Sequence, residues 1–504
     1  MGTPFASPLP LLAVLAAALA ALAVLLLRER RRDLREGASI AAAALTLGIV
    51  VAMLPRVVEG GTPEARLFTL SPGIELVLRA DAAGMVFALL ASFLWVLAAF
   101  YSIGYMRGGH EDRQTRFYAA FALSVAATVG VAFAGNLLTF VLFYELLTLF
   151  TYPLVVHRQT PEAVAAGRKY LAYTLSGGLA LIAGAAWLEI LRVDGTFVAG
   201  GILDALRGED ATLWGLFALL TFGVAVKAAV MPFHSWLPSA MVAPTPVSAL
   251  LHAVAVVKAG VFGVVRVVGF VFGPALLEEM GAWNVLAVAA AATVLIASLL
   301  ALRHDNLKRR LAYSTISHLS YIVLGLALLG PMALTGALLH MVGHGVTKIT
   351  LFFCAGAIHV RTHKENVSEL VGIGRQMPFT MTAFTLASLS MVGLPPFVLF
   401  TSKWFLGRGA VLAGNPTFMF VYVVSGLLAA GYLFPICIRA FLRRSAAFPR
   451  FGEASPFMVA PLFITGVLAL WLGIAPDLPF RFFDLATAVA AAVTGTTAIA
   501  GGVP

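Results

Sequence analysis

Five ionisable side chains stand in stretches of sequence that are otherwise almost wholly apolar: Glu145, Lys227, Lys258, Lys348 and Lys403. Placing such a group at the centre of a hydrocarbon layer costs roughly 2.5–3.5 kcal/mol on insertion scales, so each is expected to face a protein interior and find a partner there. Glu145, in Asn136-Leu-Leu-Thr-Phe-Val-Leu-Phe-Tyr-Glu145, has Lys227 as its natural counter-charge. A pair that only locks two helices together is the weaker reading, because buried ion pairs are poor stabilisers. His340, His344 and Lys348 recur at i, i+4 and i+8, which stacks them on one face of a helix. Histidine changes charge near neutral pH, so three such groups in register predict a proton relay. His252 and Lys258 are six residues apart, about 120° off a common face at 3.6 residues per turn, and are expected to point in different directions. Lys403 follows Pro395 and Pro396 just as Lys227 precedes Pro232, and this echo favours a working lysine over one that snorkels beside Trp404.

The same residue types could bind metal or haem. A zinc or transition-metal site would need a further ligand at the same depth, and Glu145 is the one mid-membrane carboxylate, so no metal is expected. Haem requires histidine pairs on facing helices, whereas this stripe climbs one helix and ends in a lysine. No phosphate-binding loop, dinucleotide fingerprint, nucleophile elbow or cysteine cluster occurs, so the expectation is no cofactor and no catalytic centre in this chain.

The elements that position these residues are membrane spans. Of 504 residues, 60% are hydrophobic and 12% charged, against roughly 25% charged in soluble domains. Apolar stretches at 8–27, 39–55, 81–101, 117–134, 136–156, 170–190, 212–232, 244–265, 283–302, 311–329, 331–359, 377–404, 417–438 and 457–475 predict an all-α polytopic protein of about fourteen helices. Pro232, near Pro238, Pro244 and Pro246, should interrupt the seventh span, and Pro395 and Pro396 the twelfth. Matching breaks five spans apart, each beside a lysine, point to two repeated halves with the ion site at the breaks.

With the N-terminus outside, 22 of the 34 lysines and arginines fall in loops on one side and 8 on the other. That bias predicts a multi-pass protein of the bacterial inner membrane with both termini on the outer side. The net charge of +10 belongs to those loops, and no nucleic acid is expected as a partner. The first span lacks a basic leader and is expected to be retained. Cys354 and Cys437 lie in apolar runs and are expected to be small core residues.

Several of these segments together resemble the antiporter-like subunits shared by respiratory complex I, membrane-bound hydrogenases and Mrp-type multisubunit Na+/H+ antiporters. The resemblance runs from about Asp81 to Arg444. It is carried by Arg79-Ala-Asp81, Tyr101-Ser-Ile-Gly-Tyr-Met106, Tyr144-Glu145-Leu, Met231-Pro-Phe-His-Ser-Trp-Leu-Pro238, Pro244-Thr-Pro-Val-Ser-Ala-Leu-Leu-His252, His340 to Lys348, and Gly393-Leu-Pro-Pro396 to Lys403. The resemblance implies two inverted five-helix repeats, which we place at 117–266 and 283–444, after three helices in 1–116 and before a helix and tail in 445–504. It implies pairing of Glu145 with Lys227, proton transfer among His252, Lys258, His340, His344 and Lys348, and communication of Lys403 with the far side. Ser402-Lys403-Trp404 after Gly393-Leu-Pro-Pro396 looks most like the D-type Mrp subunit, exchanging H+ for Na+ or K+ within a hetero-oligomeric membrane complex. The alternative is a proton-pumping subunit of complex I, an NADH:quinone oxidoreductase, or of a hydrogenase. The chain has only about thirty residues after the fourteenth span, which departs from the long lateral helix of the largest complex I subunit.

Overall fold

A computed structural model describes residues 3–71, 74–443 and 445–496. The end of the expected tail, 497–504, lies outside the described residues. Twelve described helices have the length and apolarity to cross a bilayer. Two more expected spans are present in other forms. The tenth, Leu307–Ala327, is a continuous helix made less apolar by Arg309, Arg310 and a run of serines. The twelfth is split into Pro378–Val392 and Val398–Leu412. Side-chain caps start several of them: Asp81 accepts from the Gly84 amide, Asn136 from Thr139 and Asn306 from Arg309, each meeting a donor the helix leaves free.

The eighth span, Thr245–Phe272, and the eleventh, Pro331–Thr362, are buried throughout their most apolar stretches and form the centre of the bundle. The first two helices keep exposed apolar flanks, including Leu19, Leu26 and Leu45, as lipid-facing surfaces do.

Both expected breaks occur. The helix Asp210–Lys227 stops at Lys227, and helical structure resumes only at Trp236, whose indole donates to the Val226 carbonyl at 2.9 Å. That carbonyl also accepts from the Ala229 amide at 3.1 Å, so the indole adds a second bond at the helix end. In the twelfth span Gly393 ends the first half with φ +92°, a conformation that favours glycine. A Cβ there would also lie 2.7 Å from the Lys403 side chain.

Three features depart from the expected layout. The eighth span contains π-helical turns at Leu250–Val254 and Val267–Phe272. A further apolar helix, Phe482–Thr494, follows the fourteenth span. At 13 residues it is too short to cross alone, and it is seated against the third and eleventh spans. On the outer side of the expected topology, Thr62–Ser71 pairs antiparallel with Ile74–Arg79 and parallel with Pro4–Ala6.

Candidate proton-transfer site

Lys227 ends its half-helix and extends across to the fifth span, Leu137–Val155. Its Nζ lies 3.9 Å from Glu145 Oε1, sits 3.4 Å from the centre of the Tyr144 ring, and donates to the Tyr144 carbonyl. Tyr144 in turn donates to the Gly223 carbonyl at 3.2 Å, tying the two spans together beside the pair. The 3.9 Å gap is an ion contact rather than a hydrogen bond. Glu145 Oε1 accepts no hydrogen bond. The carboxylate faces Lys227 as expected, yet it is not enclosed: 19% of its side chain is exposed on the flank of the bundle. Gly178 of the sixth span gives the carboxylate a slot at the edge of the packing.

That slot makes a prediction. A Cβ at Gly178 would fall 2.1 Å from Glu145 Oε1, so Gly178→Ala must displace the carboxylate, the flexible end of its side chain. The variant is expected to insert normally and to lose roughly tenfold in proton transport, the effect of about 1.4 kcal/mol in pair energy. Vesicle assays on matched protein amounts measure it, and an unchanged rate would show that the Glu145 position is not critical.

A second array fills the centre. Lys258 Nζ is 2.7 Å from His344 Nδ1. The ring of His318 stacks 5.7 Å from His344 and 5.3 Å from His340, with His318 Nδ1 at 3.1 Å from His340 Nε2. His340 Nδ1 is 2.9 Å from Ser402 Oγ. The neighbour of Ser402, Lys403, turns inward and donates to the Met391 and Val392 carbonyls at 2.8 Å each, with the Tyr321 ring 5.3 Å away. Those carbonyls close the first half of the broken twelfth span, where the helix dipole favours a cation. Lys403 thus lies beside the array, while Trp404 faces outward.

Lys348 donates to the Leu311 carbonyl at 3.2 Å, one level away from the histidines. His252 packs against Phe352 of the eleventh span, ring centres 4.6 Å apart and planes tilted by 33°. Lys258 and His252 therefore both face the eleventh span, against the expectation from their spacing. The reason is the π turn at Leu250–Val254, whose wider winding rotates the helix between them. No hydrogen bond among the described residues joins Lys227 to Lys258.

His318 was not among the residues singled out from sequence. Its signal was the run Ser314-Thr-Ile-Ser-His318-Leu-Ser-Tyr321, a polar strip inside a helix that is buried from Ser314 to Ala327. Asp81 and Arg266 are likewise paired, at 2.5 and 2.9 Å, near the C-terminal end of the eighth span. Among the described residues no three histidine, cysteine or carboxylate side chains converge as a metal site.

Residues 134–475 match the family described as NADH:quinone oxidoreductase/Mrp antiporter, TM, and residues 70–118 match the complex I chain 5 N-terminus. NADH-quinone oxidoreductase subunit N of Desulforudis audaxviator is 34% identical over 444 residues, covering 86% of this chain and 87% of that one. The probable K+/H+ antiporter A/B subunit of Rhizobium meliloti is also 34% identical, over 449 residues, and this chain spans only 44% of its length. In structure, a chain of the Mrp complex from Dietzia sp. DQ12-45-1b superposes with a TM-score of 0.86 over 97% of this chain and 98% of that one, at 23% identity, which is a likeness of fold.

Proposed function

The chain belongs to the NADH:quinone oxidoreductase/Mrp antiporter transmembrane family, and on that premise we propose that it is the proton-translocating subunit of a multisubunit cation/proton antiporter. The observation that carries this reading is the set of contacts Lys258, His344, His318, His340 and Ser402, which crosses from the eighth span to the broken twelfth, with Lys403 reaching it through the Tyr321 ring that stacks on His340. From Lys258 to Ser402 each neighbour is within hydrogen-bond or ring-stacking reach, and all five groups are fully buried. Imidazoles and ammonium groups exchange protons and offer little to hold a larger solute.

Glu145 and Lys227 form the element that responds to charge, His252 and Lys348 lie on the side branch towards the basic loops, and the breaks at Pro232 and at Pro395 and Pro396 leave the lysines at helix ends. We place the repeats at 117–266 and 283–444. The D-type assignment rests on Ser402-Lys403-Trp404; the related chains named above are subunit N and, from an antiporter, an A/B subunit. A complex I type subunit is the second reading, favoured by the 87% coverage of subunit N. The partners are other membrane subunits, and the counter-ion is Na+ or K+. The bias of 22 basic loop residues against 8 supports a bacterial cytoplasmic membrane with both termini outside.

The test is to purify the assembly, reconstitute it in vesicles carrying a pH gradient, and add Na+ or K+. Collapse of the gradient by either cation, with no quinone or NADH present, is the expected result. Proton movement seen only with quinone reduction would replace the antiporter reading by the complex I one. A tag between Arg28 and Glu36 should be reached only from the cytoplasmic face.

A further inference from the structure

Where the twelfth span breaks, a pocket of about 430 Å³ opens between the half-helix Val398–Leu412 and the thirteenth span, Pro416–Leu442. That volume is within the roughly 300–1,000 Å³ of sites that hold small molecules. Lys403, Trp404, Gly407, Arg408 and Val411 recur at steps of one, three, one and three, so they form one stripe of the half-helix, and all five line the pocket. Met419, Val423 and Leu427, at steps of four, make the facing wall. Trp404, Val411, Val423 and Leu427 are exposed, so the pocket opens on the apolar flank of the bundle.

The charge of the pocket is one-sided. Two cations, Lys403 and Arg408, line it and no carboxylate does. None of the ion pairs among the described residues includes either of them. Lys403 gives two of its three donors to the Met391 and Val392 carbonyls, both neutral, and Arg408 stands exposed beside Trp404, Val411 and Met419. A lone cation against hydrocarbon is costly, which favours an anion beside it. The two also differ in depth. Arg408 is four residues from the end of its half-helix, about 6 Å at 1.5 Å per residue, and Lys403 lies about 7.5 Å deeper. A long side chain at the first of those depths reaches the headgroup layer.

We propose that this pocket binds an anionic phospholipid of the leaflet away from the basic loops, with the headgroup chemistry of phosphatidylglycerol. Its phosphate meets the Arg408 guanidinium, whose paired N–H donors match phosphate oxygens. The ester carbonyls, which lie on the hydrocarbon side of the phosphate, come to the level of Lys403 and accept its remaining donor. The acyl chains run against Val423 and Leu427. A zwitterionic lipid is disfavoured, because its ammonium would enter a rim that carries two cations and no acid. Such binding requires no exchange reaction and is independent of which complex the chain serves.

Trp404 reports on the pocket from its own wall. The assembly is reconstituted with phosphatidylglycerol or phosphatidylcholine brominated on the acyl chains, and Trp404 emission is taken as the difference between wild type and Trp404→Phe. Half-quenching should need roughly tenfold less brominated phosphatidylglycerol than phosphatidylcholine, the scale of two basic side chains beside an anionic headgroup. Arg408→Gln should bring the two lipids within about twofold of each other. Gly407→Leu should also remove the preference, by filling space: a Cβ there meets only Met419, at 3.7 Å, so the longer side chain grows into the pocket. Equal quenching of the wild type by the two lipids would overturn the site, as would a preference that survives either replacement. Absence of quenching by both lipids would show that another subunit covers this flank, and would overturn it as well.

Discussion

Replacing Glu145 by alanine should reduce proton transport by about a hundredfold or more while leaving the subunit inserted and assembled. The carboxylate lies 3.9 Å from the Lys227 ammonium. Two unit charges at that distance attract by roughly 4 kcal/mol at an effective dielectric near 20, so its removal alters the hold of Lys227 on its proton by several powers of ten at most. The fold loses little, because Glu145 Oε1 accepts no hydrogen bond and the side chain lies at a partly open flank. Lys227 keeps its bond to the Tyr144 carbonyl and its seat over the ring, so the half-helix end stays anchored. Glu145→Gln, which keeps the shape and removes the charge, should behave in the same way. Rates in vesicles, normalised to subunit content, decide the matter: wild-type transport by either variant would make the pair a structural clamp.

His318→Phe should lower transport by at least about tenfold and leave assembly intact, since one proton-transfer group contributes roughly 10²–10⁴-fold and bypass routes recover part of it. The ring of His318 is stacked between His340 and His344 and lies 4.8 Å from Tyr321. Phenylalanine preserves the stacking surface and removes both nitrogens. His318 Nε2 has no hydrogen-bond partner, so on that side the replacement costs nothing. The step from His344 to His340 then spans 6.4 Å between ring centres with no relay atom in between. A variant that assembles and transports at the wild-type rate would show that protons do not travel by this column.

The parts of this site that were legible in the sequence are those set by local rules. Proline removes a helical donor, so Pro232, Pro395 and Pro396 announced the two breaks; the fourfold spacing of His340, His344 and Lys348 announced their shared face. What escaped depends on neighbours. His318 alone in a serine-rich helix looks like a residue that ties helices together, and its role emerges only when the eleventh span supplies imidazoles on either side. The mutual orientation of His252 and Lys258 was misjudged because a π turn carries no distinct residue signature. The helix Phe482–Thr494 was missed since 13 residues fall short of a span, and the strand pairing of Thr62–Ser71 with Ile74–Arg79 was hidden in what looked like a connecting loop.

The 2.7 Å contact between Lys258 and His344 has an electrical consequence. Were both to carry a proton, they would repel by about 6 kcal/mol at an effective dielectric near 20, so the two hold at most one charge between them. Glu145 contacts Lys227 instead, and among the described residues no carboxylate pairs with His344, His318 or His340 to let charge accumulate. On the proton-relay reading the column is therefore a conductor of very small capacitance. A charge entering at one end raises the potential of the whole column, and the cheapest response is to expel a charge at the other, so the coupling ratio is limited by how few protons the column can store.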